Sequence, residues 1–100
     1  MQVMSISFVA PTINNSQKVV LSAASAQSVV YDATNCLSNK VLLTSDVPCW
    51  IMSGVNPTAV ADGTCLYLAA NVMYRILLAP GFKLALIAGG AGNAYITPEN

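Results

Sequence analysis

The stretch T-C-L-Y-L-A-A-N-V-M-Y-R-I-L-L-A-P-G-F-K-L-A-L-I, residues 64–87, decides the fold. Its apolar residues fall into three segments of strand length, at residues 65–68, 72–78 and 82–87. The middle segment contains no proline or glycine, is rich in β-branched and aromatic residues, and is short for a helix. Before the last segment, Pro80 presets the first φ of a type II turn and Gly81 accepts the positive second φ. The stretch therefore predicts an antiparallel meander of three strands.

The rest of the chain contains further segments with an apolar or alternating pattern of strand length. They are residues 1–10, 18–23, 27–32, 41–44, 49–53 and 94–97. Turn signals separate the segments at spacings of about 8–12 residues, which is typical of a β-sandwich or small barrel. We predict one all-β domain over residues 1–100, an antiparallel β-sandwich of about eight short strands. One helical turn within residues 22–30 is the alternative for that part of the chain.

The composition predicts a surface that is mostly covered by neighbours. Hydrophobic residues make up 55% of the chain and charged residues only 8%, against about 25% charged residues in an average soluble domain. A formal net charge of zero supplies no attraction to nucleic acid or to an anionic membrane, and it favours association. We expect a homo-oligomer with a protein partner and neither a nucleic-acid nor a membrane partner.

Neither a membrane span nor a secretory signal is predicted. The best candidate span, residues 72–91, is interrupted by Arg75, by Pro80-Gly81 and by Lys83, although a spanning helix needs about 20 predominantly apolar residues. The N-terminus lacks a basic region followed by an apolar core. We therefore expect a soluble chain that is synthesised in the cytoplasm.

The residues with reactive side chains predict neither a catalytic site nor a cofactor. The chain has no histidine, which removes the usual general base. Asp46 and Asp62 could form an acid–base pair, but both lie at turns, where such side chains bond nearby backbone. Lys83 is expected as a charge on a sheet edge rather than as a catalytic lysine.

The three cysteines predict no metal site. They are Cys36, Cys49 and Cys65, and no pair of them has the spacing C-x-x-C. No histidine is present to complete a zinc site. We expect buried free thiols, because free cysteine behaves as a small hydrophobe.

Arg75 and Trp50 are the candidate contact residues. Arg75 is the sole arginine and shares a strand face with apolar residues, so it is either a snorkelling surface residue or an interface anchor. We predict an interface formed by Met73, Tyr74 and Arg75 with exposed termini, namely Met1, Gln2, Val3, Pro98, Glu99 and Asn100. For Trp50 a core position is favoured, and sugar stacking or partner contact are the alternatives.

Residues 40–99 contain five strand and turn motifs in a fixed order. They are V-P-C-W-I-M-S-G-V-N-P-T-A at residues 47–59, C-L-Y-L-A-A at residues 65–70, Y-R-I at residues 74–76, P-G-F-K-L-A-L-I at residues 80–87 and A-Y-I-T-P-E at residues 94–99. In these motifs the chain resembles small virion proteins of tailed bacteriophages. Residues 1–39 match more loosely, and the proline before Glu99 departs from the pattern.

The resemblance implies a capsid cement or decoration protein with a jelly-roll-like β-sandwich. Such a protein binds the outer surface of the major capsid lattice, often as a homotrimer at threefold positions, and stabilises the expanded head. The virion capsid surface is then the expected location and the major capsid protein the expected partner. A head-fibre, tail or head–tail connector component is the alternative within that class. From another class, a small carbohydrate-binding β-sandwich would use Trp50 with Tyr67 or Tyr74.

Overall fold

The computed structural model describes residues 16–36 and 38–99. These residues form two four-stranded antiparallel sheets. Sheet A has the strand order β1-β8-β3-β6, and sheet B has the order β2-β7-β4-β5. The strands in chain order are β1 (Gln17–Leu21), β2 (Ala26–Gln27), β3 (Lys40–Ser45), β4 (Cys49–Gly54), β5 (Leu66–Leu68), β6 (Tyr74–Leu77), β7 (Lys83–Ala88) and β8 (Gly92–Pro98). The described residues contain no helix. The prediction of an all-β antiparallel fold of about eight strands is confirmed.

The strand pairings are nested around the loop at residues 55–65. β4 pairs with β5, β3 with β6, β2 with β7 and β1 with β8. The chain is thus a long antiparallel ribbon that is folded back on itself and then curled. Two further pairings, β3 with β8 and β4 with β7, complete the two sheets. Each connection except β4–β5 crosses from one sheet to the other.

Alternation along the central strands places one continuous core between the sheets. In β3, Val41 and Leu43 are fully buried and face the inward residues Leu84 and Leu86 of β7 within the same cluster. Successive strand residues point to opposite faces, so the register of each pair fixes which residues point outward. Burying each of these aliphatic side chains stabilises the folded state by about 1.5–3 kcal/mol. A shift of one residue in strand pairing would turn them outward, so their burial favours the observed register.

The type II turn predicted at Pro80-Gly81 is confirmed. Gly81 has a φ of 84°, and the amide of Phe82 donates to the carbonyl of Ala79 over 3.1 Å. A non-glycine residue at Gly81 would be strained by this positive φ. The turn carries the chain from β6 in sheet A to β7 in sheet B.

The predicted meander is wrong, because its three strands do not pair with one another. β5 and β7 lie in sheet B, where β4 separates them, and β6 lies at the edge of sheet A. The connection between β5 and β6 turns at Asn71, which has a φ of 60° and whose amide donates to the Ser45 carbonyl. The nested ribbon pairs β5 with β4 and β6 with β3, so β6 pairs with neither β5 nor β7.

Other sequence expectations differ in detail from the structure. Residues 22–30 form no helical turn; they contain β2 and extended chain that continues to an isolated bridge between Tyr31 and Phe82. The final strand is longer than predicted and spans Gly92–Pro98. The strand predicted at residues 1–10 lies outside the described residues.

Candidate functional site

Trp50 and Tyr67 form an aromatic pair on the outward face of sheet B. They are direct partners in the register between β4 and β5, and their ring centroids lie 5.3 Å apart at an interplanar angle of 64°. Cys49 and Ile51 on either side of Trp50 point into the core, so alternation turns the indole away from it. The expected core position of Trp50 is therefore wrong.

The aromatic pair lines an open pocket of about 450 Å³ at one end of the sandwich. Val47 and Pro48, which precede β4, form one wall, and Gly89, Gly90 and Ala91, which follow β7, form another. The two walls meet because Cys49 at the start of β4 pairs with Ala88 at the end of β7. The pocket is thus set by the register of the central pair of sheet B.

The close approach of Gly92 to the β3–β4 connection positions the wall that contains Val47. A Cβ at residue 92 would overlap the Val47 side chain and lie 2.8 Å from Oδ1 of Asp46. That carboxylate oxygen accepts a hydrogen bond from the Asn93 amide over 2.8 Å. The β7–β8 connection and the β3–β4 connection are therefore fixed against each other beside the pocket.

The pocket has a largely apolar lining, and two of its residues, Trp50 and Tyr67, also carry a polar group. Valine, proline, tryptophan, tyrosine, glycine and alanine line it, and none of these described residues is charged. Neither the Trp50 Nε1–H nor the Tyr67 hydroxyl has a hydrogen-bond partner in the described part of the chain. Tyr67 remains 53% exposed. The arrangement can hold a neutral ligand with an apolar face and offer it hydrogen bonds at the rim.

A charged contact organises the outward face of sheet A. Nε and Nη2 of Arg75 donate to the two carboxylate oxygens of Glu99 over 2.7 and 3.0 Å. The Glu99 side chain is 5% exposed, against 46% for that of Arg75. These hydrogen bonds and the charge of Glu99 raise the pKa of the Arg75 guanidinium. The ion pair connects the edge strand β6 to the residue after β8, across the intervening strand β3.

The predicted interface residues divide between surface and interior. Met73 and Arg75 are exposed, and Tyr74 faces inward, where its hydroxyl accepts a hydrogen bond from the Ala69 amide over 3.0 Å. Pro98 and Glu99 are buried, so their expected exposure is wrong. The remaining predicted contact residues, Met1, Gln2, Val3 and Asn100, lie outside the described residues. The role of all of them in an interface stays a prediction.

The carboxylates proposed as acid–base candidates are engaged in structural hydrogen bonds. Asp62 accepts from the amide and the hydroxyl of Thr64 over 2.8 and 2.6 Å, and these bonds lower its pKa. Asp46 is bonded to the Asn93 backbone, far away in sequence. Asp62 is therefore the turn residue that the sequence predicted, and Asp46 instead connects the β3–β4 connection to the start of β8.

The three thiols are free, and two of them are buried as predicted. Burial raises the pKa of the Cys49 thiol, which keeps it protonated and unreactive at neutral pH. Cys65 is only partly buried, and its Sγ accepts from the Val60 amide over 3.3 Å. Its expected full burial is wrong, because it precedes β5 at the edge of sheet B.

Comparisons with known proteins supply no relative from which a role could be transferred. No protein-family model, curated protein or solved structure matches the chain. Within residues 16–36 and 38–99, no group of three or more potential metal ligands is found. None of the described residues belongs to a helix that is long and apolar enough to cross a membrane. The aromatic pocket and the outward face of sheet A are two surfaces where exposed apolar side chains lie.

Proposed function

We propose that this chain is a structural protein of a tailed-bacteriophage virion, a cement or decoration protein that binds the outer surface of the major capsid lattice as a homotrimer. The observation that carries the proposal is the outward face of sheet A. Val20, Tyr95 and Leu77, on three of its four strands, are exposed. The same face also carries Lys18, Lys40 and Arg75. Exposed apolar and aromatic side chains together with an arginine favour contact with another protein.

The proposal includes a jelly-roll topology for the sandwich. Its support is the nested pairing of the first strand with the last and so on inward, together with connections that alternate between the two sheets. A curled antiparallel ribbon of eight strands is the defining feature of jelly rolls, a fold used by viral capsid proteins. The same fold also occurs in lectins, so topology supports the virion class without selecting the partner.

The proposed mechanism is stabilisation by selective binding. A protein that binds the expanded capsid lattice and not its precursor stabilises the expanded state by mass action. Arg75 would contribute to the contact from the edge strand β6, since its side chain is about half exposed and already oriented by Glu99. A guanidinium held in place loses less conformational freedom on binding, which favours the contact.

A head-fibre, tail or head–tail connector component is the alternative within the virion class. The same apolar face would serve in each case, and the components differ in their binding site on the particle. Labelled protein that decorates the whole head surface supports the cement role. Binding only at one vertex, at fibres or along the tail would replace it by the corresponding alternative.

The oligomeric state of the purified protein tests the proposal first. Native mass spectrometry is expected to give a species of three times the chain mass. Leu77→Ser is expected to reduce it, because Leu77 is 75% exposed on the proposed contact face. Val55→Ser is the matched control, since Val55 is 70% exposed but lies in the β4–β5 loop. A monomer at all protein concentrations, or equal effects of the two substitutions, would contradict the homotrimer.

Arg75→Ala is a less direct test of the contact than Leu77→Ser. It removes a surface cation but also withdraws the bidentate partner of a buried carboxylate, which costs folding free energy by itself. Its effect on trimer mass is therefore to be read only after unfolding curves show that the variant is folded. An Arg75→Ala variant that is folded, trimeric and fully capsid-binding would remove Arg75 from the proposed contact.

A further inference from the structure

We propose that the pocket at Trp50 and Tyr67 binds a neutral sugar ring. This inference goes beyond the proposed virion function and does not rest on it. The pocket lies on sheet B, on the opposite side of the molecule from the outward face of sheet A. A chain bound through one face leaves the other available to a second ligand.

The shape and chemistry of the pocket select the ligand class. The two rings meet edge to face, so they present two aromatic surfaces at an angle rather than one flat platform. Pyranose rings have an apolar face of C–H groups that stacks on an aromatic surface, and hydroxyls at their periphery. The indole N–H and the phenol O–H of the pocket have no partner within the described residues, and they supply hydrogen bonds at that periphery.

The charges near the pocket favour a neutral ligand over an anionic one. Among the described residues, no lysine or arginine lines it, so a phosphate or a sialic acid carboxylate would find no cation there to pair with. Asp46 and Asn93 lie beside the wall that contains Val47 and are bonded to each other. The negative charge of Asp46 beside this wall further disfavours an anionic ligand.

The volume of about 450 Å³ is within the range of small-molecule sites and admits one to two sugar rings. The adjacent glycines leave the pocket open, because a Cβ at Gly89 or Gly90 would meet no atom within 4 Å. Added side-chain atoms at these positions are therefore tolerated by the fold. Larger side chains there provide a way to obstruct the pocket without disturbing the core.

The tryptophan fluorescence of the chain is a specific reporter for this site, because Trp50 is the only tryptophan. The probes are neutral oligosaccharides ending in glucose, galactose, mannose or N-acetylglucosamine, first on an array and then in solution with the intact chain. A saturable change in Trp50 emission is expected for at least one of them. Tyr67→Ala is expected to weaken that binding roughly tenfold.

Two further variants distinguish sugar binding in the pocket from sugar binding elsewhere on the surface and from a loss of folding. Tyr95→Ala is the matched control, since Tyr95 is exposed to a similar degree but lies on sheet A, and it is expected to leave affinity unchanged. Gly90→Leu is expected to weaken binding while leaving the unfolding curve unchanged. No saturable response to any probe, a response only to proline-rich or other apolar peptides, or equal weakening by Tyr95→Ala would each overturn the proposal.

Discussion

The edge strands of the two sheets, β5 in sheet B and β6 in sheet A, place two tyrosines seven residues apart in opposite environments. Tyr67 points outward, contacts Trp50 and is largely exposed. Tyr74 points inward, packs against the core, and its hydroxyl accepts from the Ala69 amide. The two residues share a type and an apolar context, but their register differs. Which face a side chain occupies therefore decides whether it stabilises the fold or is available to a ligand.

Tyr31, a third tyrosine, is fully buried. Its ionisation gives the largest expected change in the free energy of unfolding. Burial, followed by repulsion from Cys36, raises the pKa of Tyr31 to about 12, from about 10 in the unfolded chain. The folded chain therefore retains a proton that the unfolded chain loses, and stability present below pH 10 is lost as the pH rises towards 12. The expected loss is about 2–3 kcal/mol.

Urea unfolding between pH 8 and pH 12 measures this loss. In Tyr31→Phe the decrease is expected to be smaller and to come mainly from groups such as the Cys49 thiol, whose pKa burial also raises. An equally steep decrease in both proteins would show that ionisation of Tyr31 is not its cause.

The direct comparison of Tyr74 with Tyr67 gives the next largest effect. Tyr74→Ala is expected to lower the free energy of unfolding by about 2 kcal/mol, because it removes packing against the core and a hydrogen bond. Tyr67→Ala is expected to lower it by about 1 kcal/mol or less, since the side chain is exposed and loses mainly its contact with Trp50. Urea unfolding monitored by circular dichroism measures both. A larger loss for Tyr67→Ala would reverse the assignment of inward and outward faces.

Alanine substitutions at Gly89 and Gly92, the glycines at the two ends of the β7–β8 connection, are expected to give the smallest changes in the free energy of unfolding. Gly92→Ala is expected to cost about 1–2 kcal/mol, because its Cβ would overlap Val47. Gly89→Ala is expected to change stability by less than about 0.5 kcal/mol, because a Cβ there meets open space. Thermal or urea unfolding distinguishes them. Equal costs would mean that the close approach of Gly92 to the β3–β4 connection does not constrain the pocket wall.

Local features of the fold could be predicted from the sequence because local chemistry determines them. Apolar runs of strand length between turn signals identified β3 and β7, and the Pro80-Gly81 dipeptide identified the turn with the positive φ at Gly81. The outward orientation of Trp50 could also have been predicted from the sequence. Once Cys49 and Ile51 are assigned to the core, period-two alternation requires the residue between them to point outward.

The pairing of strands and the burial at the C-terminus could not be predicted in the same way. Nested pairing joins β1 to β8 across most of the chain, and nothing within either segment specifies that partner. Glu99 is acidic and next to the last residue, which normally indicates exposure. Its burial follows from the pairing of Arg75 with Leu42 across β6 and β3, which brings the guanidinium within reach of the carboxylate.

Co-sedimentation with phage heads tests the proposed virion role most directly. The purified chain is mixed with expanded heads and with unexpanded precursor shells of a phage whose genome encodes it, and the pelleted protein is quantified. Saturable binding to expanded heads, weak binding to precursor shells and loss of binding in Leu77→Ser but not in Val55→Ser are the expected results. Absence of binding to either shell, or equal binding to both, would contradict the proposal that this protein stabilises the expanded capsid.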